Sequence, residues 1–278
     1  MNEINFILKM AVHNAEDPLS GAVPEVPTFI TLISDMFENS NLAKFLIQWE
    51  SLIFSIMTAT IVAIIFHIGA RKREMIPTGL QNFLELIVDS INRLIIGVLG
   101  HEGRKYVPFL GTLFLYILSM NLIGLVPFMK SPSSNLNVTV GLALCVFLLV
   151  QYLNILNFGL GGFIYHLAGS PKGILGWCLV PLMLPLEVIT QFSRPLTLSL
   201  RLFGNVLGGD IFIGIFILFG ISLLSTFNIP VGVPLQVPFM FLGLLTGVMQ
   251  ALVFTLLSSI YILLAMSDHE DTLEREKE

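Results

Sequence analysis

The sequence has little charge: only 12% of its 278 residues are Asp, Glu, Lys or Arg, against roughly 25% in a soluble globular domain. With 55% hydrophobic residues, lipid must be the solvent for much of the chain, which excludes an ordinary water-soluble enzyme or binding module. Cysteine is scarce as well. Cys145 and Cys178 sit inside apolar stretches without the pairing or spacing of a zinc site, and they read as small buried hydrophobes. No stripe of basic residues invites nucleic acid. The net charge of -5 says little about partners, because much of the acidic excess lies in the tails, as at Asp268, Glu270, Asp271, Glu274, Glu276 and Glu278. No Walker-type glycine loop is present, so the chain is not expected to bind a nucleotide itself. His67, His101 and His166 are scattered near predicted helix ends and read as interfacial residues; neither metal nor cofactor is expected. The N-terminus Met1-Asn2-Glu3-Ile4-Asn5 has no basic n-region and only a short apolar run, so no cleaved secretory signal is expected.

What the sequence does have is long apolar runs. About 20 residues of helix cross a hydrocarbon core roughly 30 Å thick. Stretches near 49–69, 107–127, 138–159, 177–223 and 237–266 meet that length. Between Pro77 and Gly100 the pattern changes. Leu80, Phe83, Leu84, Ile87, Ile91, Leu94 and Ile95 recur at helical spacing, with Gln81, Glu85, Asp89, Asn92 and Arg93 opposite, which predicts an amphipathic helix lying in the interface. The expected fold is an all-α integral membrane protein with five crossing helices and one interfacial helix. Arg71, Lys72 and Arg73, then Arg104 and Lys105, then Lys172 mark cytoplasmic loops, whereas Lys130 is alone in an outside loop. Five crossings put the N-terminus outside. Residues 1–47 are then an extracytoplasmic segment, 48–267 the polytopic membrane domain and 268–278 an acidic cytoplasmic tail.

Charges inside the apolar runs carry the functional signal. From Val138 to Ser267, apart from Lys172 in a loop, the only ionisable Asp, Glu, Arg or Lys residues are Glu187, Arg194, Arg201 and Asp210. All four fall on the fourth span. A charge at mid-bilayer costs from about 2.5 to more than 10 kcal/mol, so these side chains must face protein or a water-filled path. Glu187, Arg194 and Arg201 are spaced by seven residues, which returns an α-helix to within about 20°. Gln191 and Asn205 extend that stripe, while Asp210 falls on roughly the opposite face of an undistorted helix; Pro195 can bend the helix and blur the phase. The bland alternative is that Arg194 and Arg201 pair with Glu187 and Asp210 as internal glue, or that Arg194 snorkels. Gly204, Gly208 and Gly209 would admit a close helix, within the chain or from a partner. Gln250 and Thr246 in the last span are weaker polar signals.

Ser199-Leu200-Arg201-Leu202-Phe203-Gly204-Asn205 resembles the signature helix of the subunit a family of F-type ATP synthases. The resemblance extends to Arg194-Pro195, to Gln250-Ala251-Leu252-Val253-Phe254, to Asn121 through Pro127, to Ser131-Pro132 with Leu136-Asn137-Val138-Thr139, and to the acidic tail around His269. It covers the chain from about residue 45. It implies that the last two long helices form a hairpin against a ring of c subunits, and that Arg201 is the essential arginine meeting the ion-carrying carboxylate of each one. It further implies that Asn205 and Gln250 neighbour that arginine and Asp210 lines the half-channel from outside. Glu187 and Arg194 match polar positions nearer the cytoplasm, with Asn121 and Thr246 as possible supporting residues. Implied partners are the c ring, b-type peripheral stalk subunits and, indirectly, the F1 sector; the implied location is a bacterial inner membrane or an equivalent energy-coupling membrane. Two departures stand out. Gly243 and Gly124 occupy positions where some members carry His and Asp. The competing class, a secondary transporter for an anion, would be expected to show paired discontinuous segments or an inverted repeat, and none is visible.

Overall fold

A computed structural model describes residues 28–31, 41–71, 79–126, 128–167, 173–225 and 234–275. Most of the N-terminal segment, the basic residues Lys72, Arg73 and Lys172, and the residues Glu276 and Glu278 lie outside that set. The described residues form helices and no strands. In chain order these are α1 (Asn41–Gln48), α2 (Glu50–Arg71), α3 (Leu80–Leu99), α4 (Val107–Ile123), α5 (Leu136–Leu167), α6 (Gly173–Ser225) and α7 (Val237–Arg275). Short 3₁₀ turns, Glu102–Tyr106 and Pro132–Ser134, precede α4 and α5.

Among the described residues, five helices are long and apolar enough to span a membrane: Glu50–Gly69, Gly103–Ile123, Leu136–Leu156, Val180–Gly220 and Val237–Met266. They match the apolar runs read from sequence, because in lipid only a helix satisfies every backbone group within one segment. The fourth carries 41 residues. At about 1.5 Å per residue that is about 60 Å, twice the hydrocarbon thickness, so α6 cannot cross along the bilayer normal. It runs unbroken through Pro181, Pro185 and Pro195. Among the described residues a break inside a helix occurs in α5 at Gly159, whose φ of 67° and ψ of 170° suit a residue without Cβ.

The helices contribute to two compact units. One draws on Met1–Ile64, Tyr116–Val138 and Phe203–Ala251; the other on Ile65–Leu115, Thr139–Leu202 and Leu252–Glu278. The interiors differ in character. The first buries Thr28, Glu50, Thr58, Asn121, Ser131, Ser133 and Gln250 beside Phe54, Ile117 and Met120. The second buries mainly aliphatic and aromatic side chains, among them Leu84, Ile91, Ile95, Leu110, Leu202, Phe254 and Ile262.

Within the second unit, α3 buries Leu84, Ile91, Ile95 and Leu99 on one face. A Cβ on Gly69 of α2 would collide with Leu84, and one on Gly111 of α4 would touch Ile91 at 3.7 Å, so both neighbours approach α3 through glycine. Asp89 and Arg93 pair at 2.7 Å on its exposed side. Phe83 and Leu86, also exposed, leave an apolar margin beside that polar face, the pattern of a helix at a water–lipid boundary.

The cysteine expectation needs correcting: Cys145 is exposed, not buried. It shares its exposed face of α5 with Leu144 and Leu148, because in a membrane protein apolar residues face lipid as readily as the core. Cys178 has no described side chain.

The contrast along α3 yields a test. Ile95→Ala removes a side chain with no exposed surface and is expected to cost about 2–5 kcal/mol, whereas Leu86→Ala is expected to stay within about 0.5 kcal/mol. Thermal unfolding of the purified protein in detergent measures both; equal losses would show that α3 is not packed on its Ile95 face.

Candidate functional site

The helix α6 carries all four charges singled out in the sequence, and the structure distributes them among three environments. Glu187, Gln191 and Arg194 line a cavity of about 260 Å³ in the second unit, together with Gln151 and Asn154 of α5 and Tyr261 of α7. Glu187 and Gln191 are one helical turn apart, and the Gln191 Nε2 donates to the Glu187 carboxylate at 3.4 Å. Gln151 Nε2 donates to Gln191 Oε1 at 2.9 Å, joining α5 to α6. The Arg194 guanidinium lies over the Tyr261 ring, 5.3 Å from its centroid, a placement that stabilises a cation without an acid partner. Arg194 therefore makes a cation–π contact where the internal-glue reading expected an ion pair.

Arg201 is different. It is exposed while its neighbours Leu198, Ser199 and Leu202 are buried, and it lines neither cavity. It has no hydrogen bond or ion pair among the described residues. Thr197 before it and Gly204 after it are exposed too. Added Cβ atoms at Gly204, Gly208 and Gly209 would meet nothing within 4 Å. The small residues thus open outward from the chain, the feature that lets a foreign helix approach closely.

Asp210 lines the second cavity, about 540 Å³, in the first unit. Its polar wall comes from Thr28, Ser51, Lys130, Ser134, Asn135 and Gln236. Behind that wall Glu50, buried at the start of α2, accepts a short hydrogen bond from the Thr28 hydroxyl and lies 3.9 Å from the Lys130 ammonium. Asn135 Nδ2 donates to Ser51 Oγ at 3.1 Å, and its Oδ1 accepts the Asn137 N–H at 3.0 Å, capping α5.

Asn121, Asn205, Thr246 and Gln250, the other polar candidates, lie in the first unit. Asn121 Nδ2 donates to the Gly247 carbonyl at 3.1 Å and its Oδ1 accepts from Ser133 Oγ at 2.8 Å, tying α4, α7 and the 3₁₀ turn together. Ser131 Oγ donates to the Met120 carbonyl at 2.9 Å. Asn205 Nδ2 reaches the Thr246 carbonyl at 3.5 Å, while the Thr246 hydroxyl bonds within its own helix at 3.0 and 3.1 Å. Gln250 is buried and its Nε2 has no partner among the described residues. His67 and His101 are exposed at their helix ends; the His166 side chain lies outside the described residues.

The two glycine departures have distinct physical origins. At Gly124 an added Cβ would lie 2.6 Å from Ser131 Cβ and 3.2–3.3 Å from its backbone, so the serine loop fills the place a larger side chain would take. At Gly243 the neighbour within 4 Å among the described residues is Leu125 Cδ2 at 3.2 Å, the movable end of a side chain. Sequence reasoning missed Glu50, Gln151, Asn154, Tyr261 and Gln236, each of which reaches its site from a helix or turn other than α6. Glu50 alone carried a visible signal, as an acid opening an apolar run.

Comparison with known proteins adds a consistent result. The ATP synthase A chain family matches residues 52–263. The chain is 57% identical over 253 residues, 91% of its length and 93% of the relative's, to ATP synthase subunit a of Protochlamydia amoebophila. It is 38% identical over 214 residues (77% and 82%) to ATP synthase subunit a of Solidesulfovibrio magneticus. It is 40% identical over 195 residues (70% and 78%) to ATP synthase subunit a 1 of Pelobacter propionicus.

The serine loop gives this site's test. Gly124→Ala is expected to destabilise the protein by about 1–3 kcal/mol, since a backbone must move, and Gly243→Ala by much less, since Leu125 can rotate. Unfolding midpoints in detergent separate the two, and a Gly243 variant as damaging as the Gly124 variant would contradict this packing.

Proposed function

The chain belongs to the ATP synthase A chain family, and from that premise we propose how its own residues carry the family's work. It is the ion-translocating subunit a of a rotary ATP synthase and a multi-pass integral membrane protein. The observation that carries the residue assignment is Arg201: a charged side chain on an apolar helix, exposed and unpaired among the described residues. A guanidinium in that state is stable in a membrane only if a partner or water meets it. An acidic partner whose carboxylate arrives and departs fits, and a c-ring carboxylate is that partner. Along α6, Arg201 follows Leu198, which lines the smaller cavity, and precedes Leu207, which lines the larger.

In this reading the Asp210 cavity is the half-channel open to the outside and the Glu187 cavity the half-channel open to the cytoplasm. An ion entering past Asp210 neutralises a rotor carboxylate, travels with the ring through lipid, and leaves by way of Glu187. Arg201 draws each ionised carboxylate into place, and its permanent charge repels a cation that would pass directly from one half-channel to the other. The driving force is about 2.3 kcal/mol per charge for each 100 mV. Gln250, whose Nε2 has no partner among the described residues, and Asn205 supply neutral hydrogen bonds near the arginine, with Asn121 and Thr246 holding the helices that carry them. Peripheral stalk subunits keep this chain stationary. The positive-inside pattern puts the N-terminus outside and the C-terminus in the cytoplasm, so a tag after Glu278 is reachable only from the cytoplasmic side; an outside tag would overturn that orientation.

Arg201→Ala is expected to abolish ion-driven ATP synthesis in reconstituted vesicles while the complex stays assembled, because deleting a charge from an apolar span adds no insertion cost. Arg201→Lys is expected to restore little, since an ammonium is strongly hydrated and lacks the planar set of donors. Asp210→Asn is expected to slow synthesis without stopping assembly. Normal coupled synthesis by an assembled Arg201→Ala complex would refute the assignment.

A further inference from the structure

Gln151 has no assigned part in the scheme above, yet its environment is unusual. It projects from α5 into the cavity of about 260 Å³ that also holds Glu187, Gln191, Asn154, Arg194 and Tyr261. Its Nε2 is committed to Gln191 Oε1 at 2.9 Å. Its Oε1 is buried and has no partner among the described residues. A buried amide oxygen without a partner is costly, and such a group is normally satisfied by water when the space is polar and large enough. This cavity is both, with room for several waters at about 30 Å³ each.

We propose that Gln151 is a positioning residue of the cytoplasmic half-channel, orienting the Gln191 amide so that the Glu187 carboxylate faces the cavity as a hydrogen-bond acceptor. The inference rests on the proposed function, since it deepens the role of that cavity. The two glutamines form a chain with one direction. Because Gln151 donates to the oxygen of Gln191, the Gln191 nitrogen must turn the other way, and there it meets Glu187 at 3.4 Å. Without Gln151, the Gln191 amide is free to flip by half a turn and present its oxygen to the carboxylate, where two acceptors repel or Glu187 must hold a proton as donor. The far end of the chain, Gln151 Oε1, is buried without a partner among the described residues, so the direction of the pair is set by the single bond from Gln151 Nε2 to Gln191 Oε1. Apolar packing alone does not account for a glutamine here: its neighbours on α5, Val146 and Val150, are buried hydrophobes, and a leucine would suit such a face.

The test uses the complete ATP synthase in vesicles, with Cys145→Ala and Cys178→Ala as the parent. ATP-driven ion uptake by that parent reports on the proposed function itself; a parent that assembles with its ring and hydrolyses ATP but moves no ion would contradict that function, independently of Gln151. In this background Gln151→Cys is expected to become sensitive to silver ion added from the cytoplasmic side, with uptake falling at least about fivefold. Leu148→Cys, exposed on the same helix but outside the cavity, stays insensitive. Gln151→Leu is expected to slow uptake by about threefold or more and to change its dependence on cytoplasmic pH, and to add no further loss in a Glu187→Gln background. A Gln151→Leu complex with the parent's rate and pH profile, or a Gln151→Cys complex that silver leaves untouched, would overturn the proposal.

Discussion

A charge placed in hydrocarbon must find water, a counter-charge or a polarisable face, and that requirement shapes everything of interest in this chain. Each of the four charges on α6 is met in its own way. Arg194 takes an aromatic ring of α7, Glu187 takes the amide of Gln191, and Asp210 takes a cavity walled by polar groups from α2, the loop before α5 and the turn before α7. Arg201 alone is left exposed. The first three residues consume the protein's own polar groups. The fourth has no hydrogen bond or ion pair among the described residues, and its proposed partner lies on another subunit.

The polar interior of the first unit follows from the same constraint. The cavity holding Asp210 is walled in part by Gly124, Ser51, Ser134 and Asn135, and the polar groups beside it are bonded to one another. Asn121, Ser131, Ser133 and the Gly247 carbonyl saturate one another, and Asn135 fixes Ser51 while capping α5. Gly124 belongs to this wall because the serine loop presses on it. That packing explains why the position carries no acid here: the space is occupied by the backbone of the loop. The charged groups that this cavity does have on its wall, Asp210 and Lys130, come from elsewhere in the chain, with Glu50 3.9 Å from the Lys130 ammonium.

Much of the fold was legible in the sequence. Five apolar runs became five long helices, since length and hydropathy are sufficient where the backbone has no alternative partner. The amphipathic stretch became α3, with its packed face at Leu84, Ile91 and Ile95 as the periodicity required. The special status of α6 was legible too, because charge in an apolar run is improbable without a purpose. The seven-residue stripe was legible only in part: Glu187, Gln191 and Arg194 share a cavity, while Arg201, on the same nominal stripe, is exposed outside it. Helical phase gives direction but not what lies in that direction. For the same reason Gln151, Tyr261, Glu50 and Gln236 escaped notice, since residues that complete a site from other helices leave no spacing signature on the helix that carries the charge. Cys145 shows the converse error, an aqueous rule of burial applied to a surface that meets lipid.

The central claim is that the open face of α6 at Arg201 and Gly204 is a rotor surface. Disulfide cross-linking in the assembled complex tests it most directly, with Cys145 and Cys178 removed and one cysteine placed beside the ion-carrying carboxylate of the c subunit. Gly204→Cys, on the exposed face, is expected to form that disulfide on mild oxidation and to stop ATP-driven rotation until it is reduced. Leu202→Cys, which replaces a fully buried residue, is expected not to. Cross-linking at Leu202 with none at Gly204 would contradict the account.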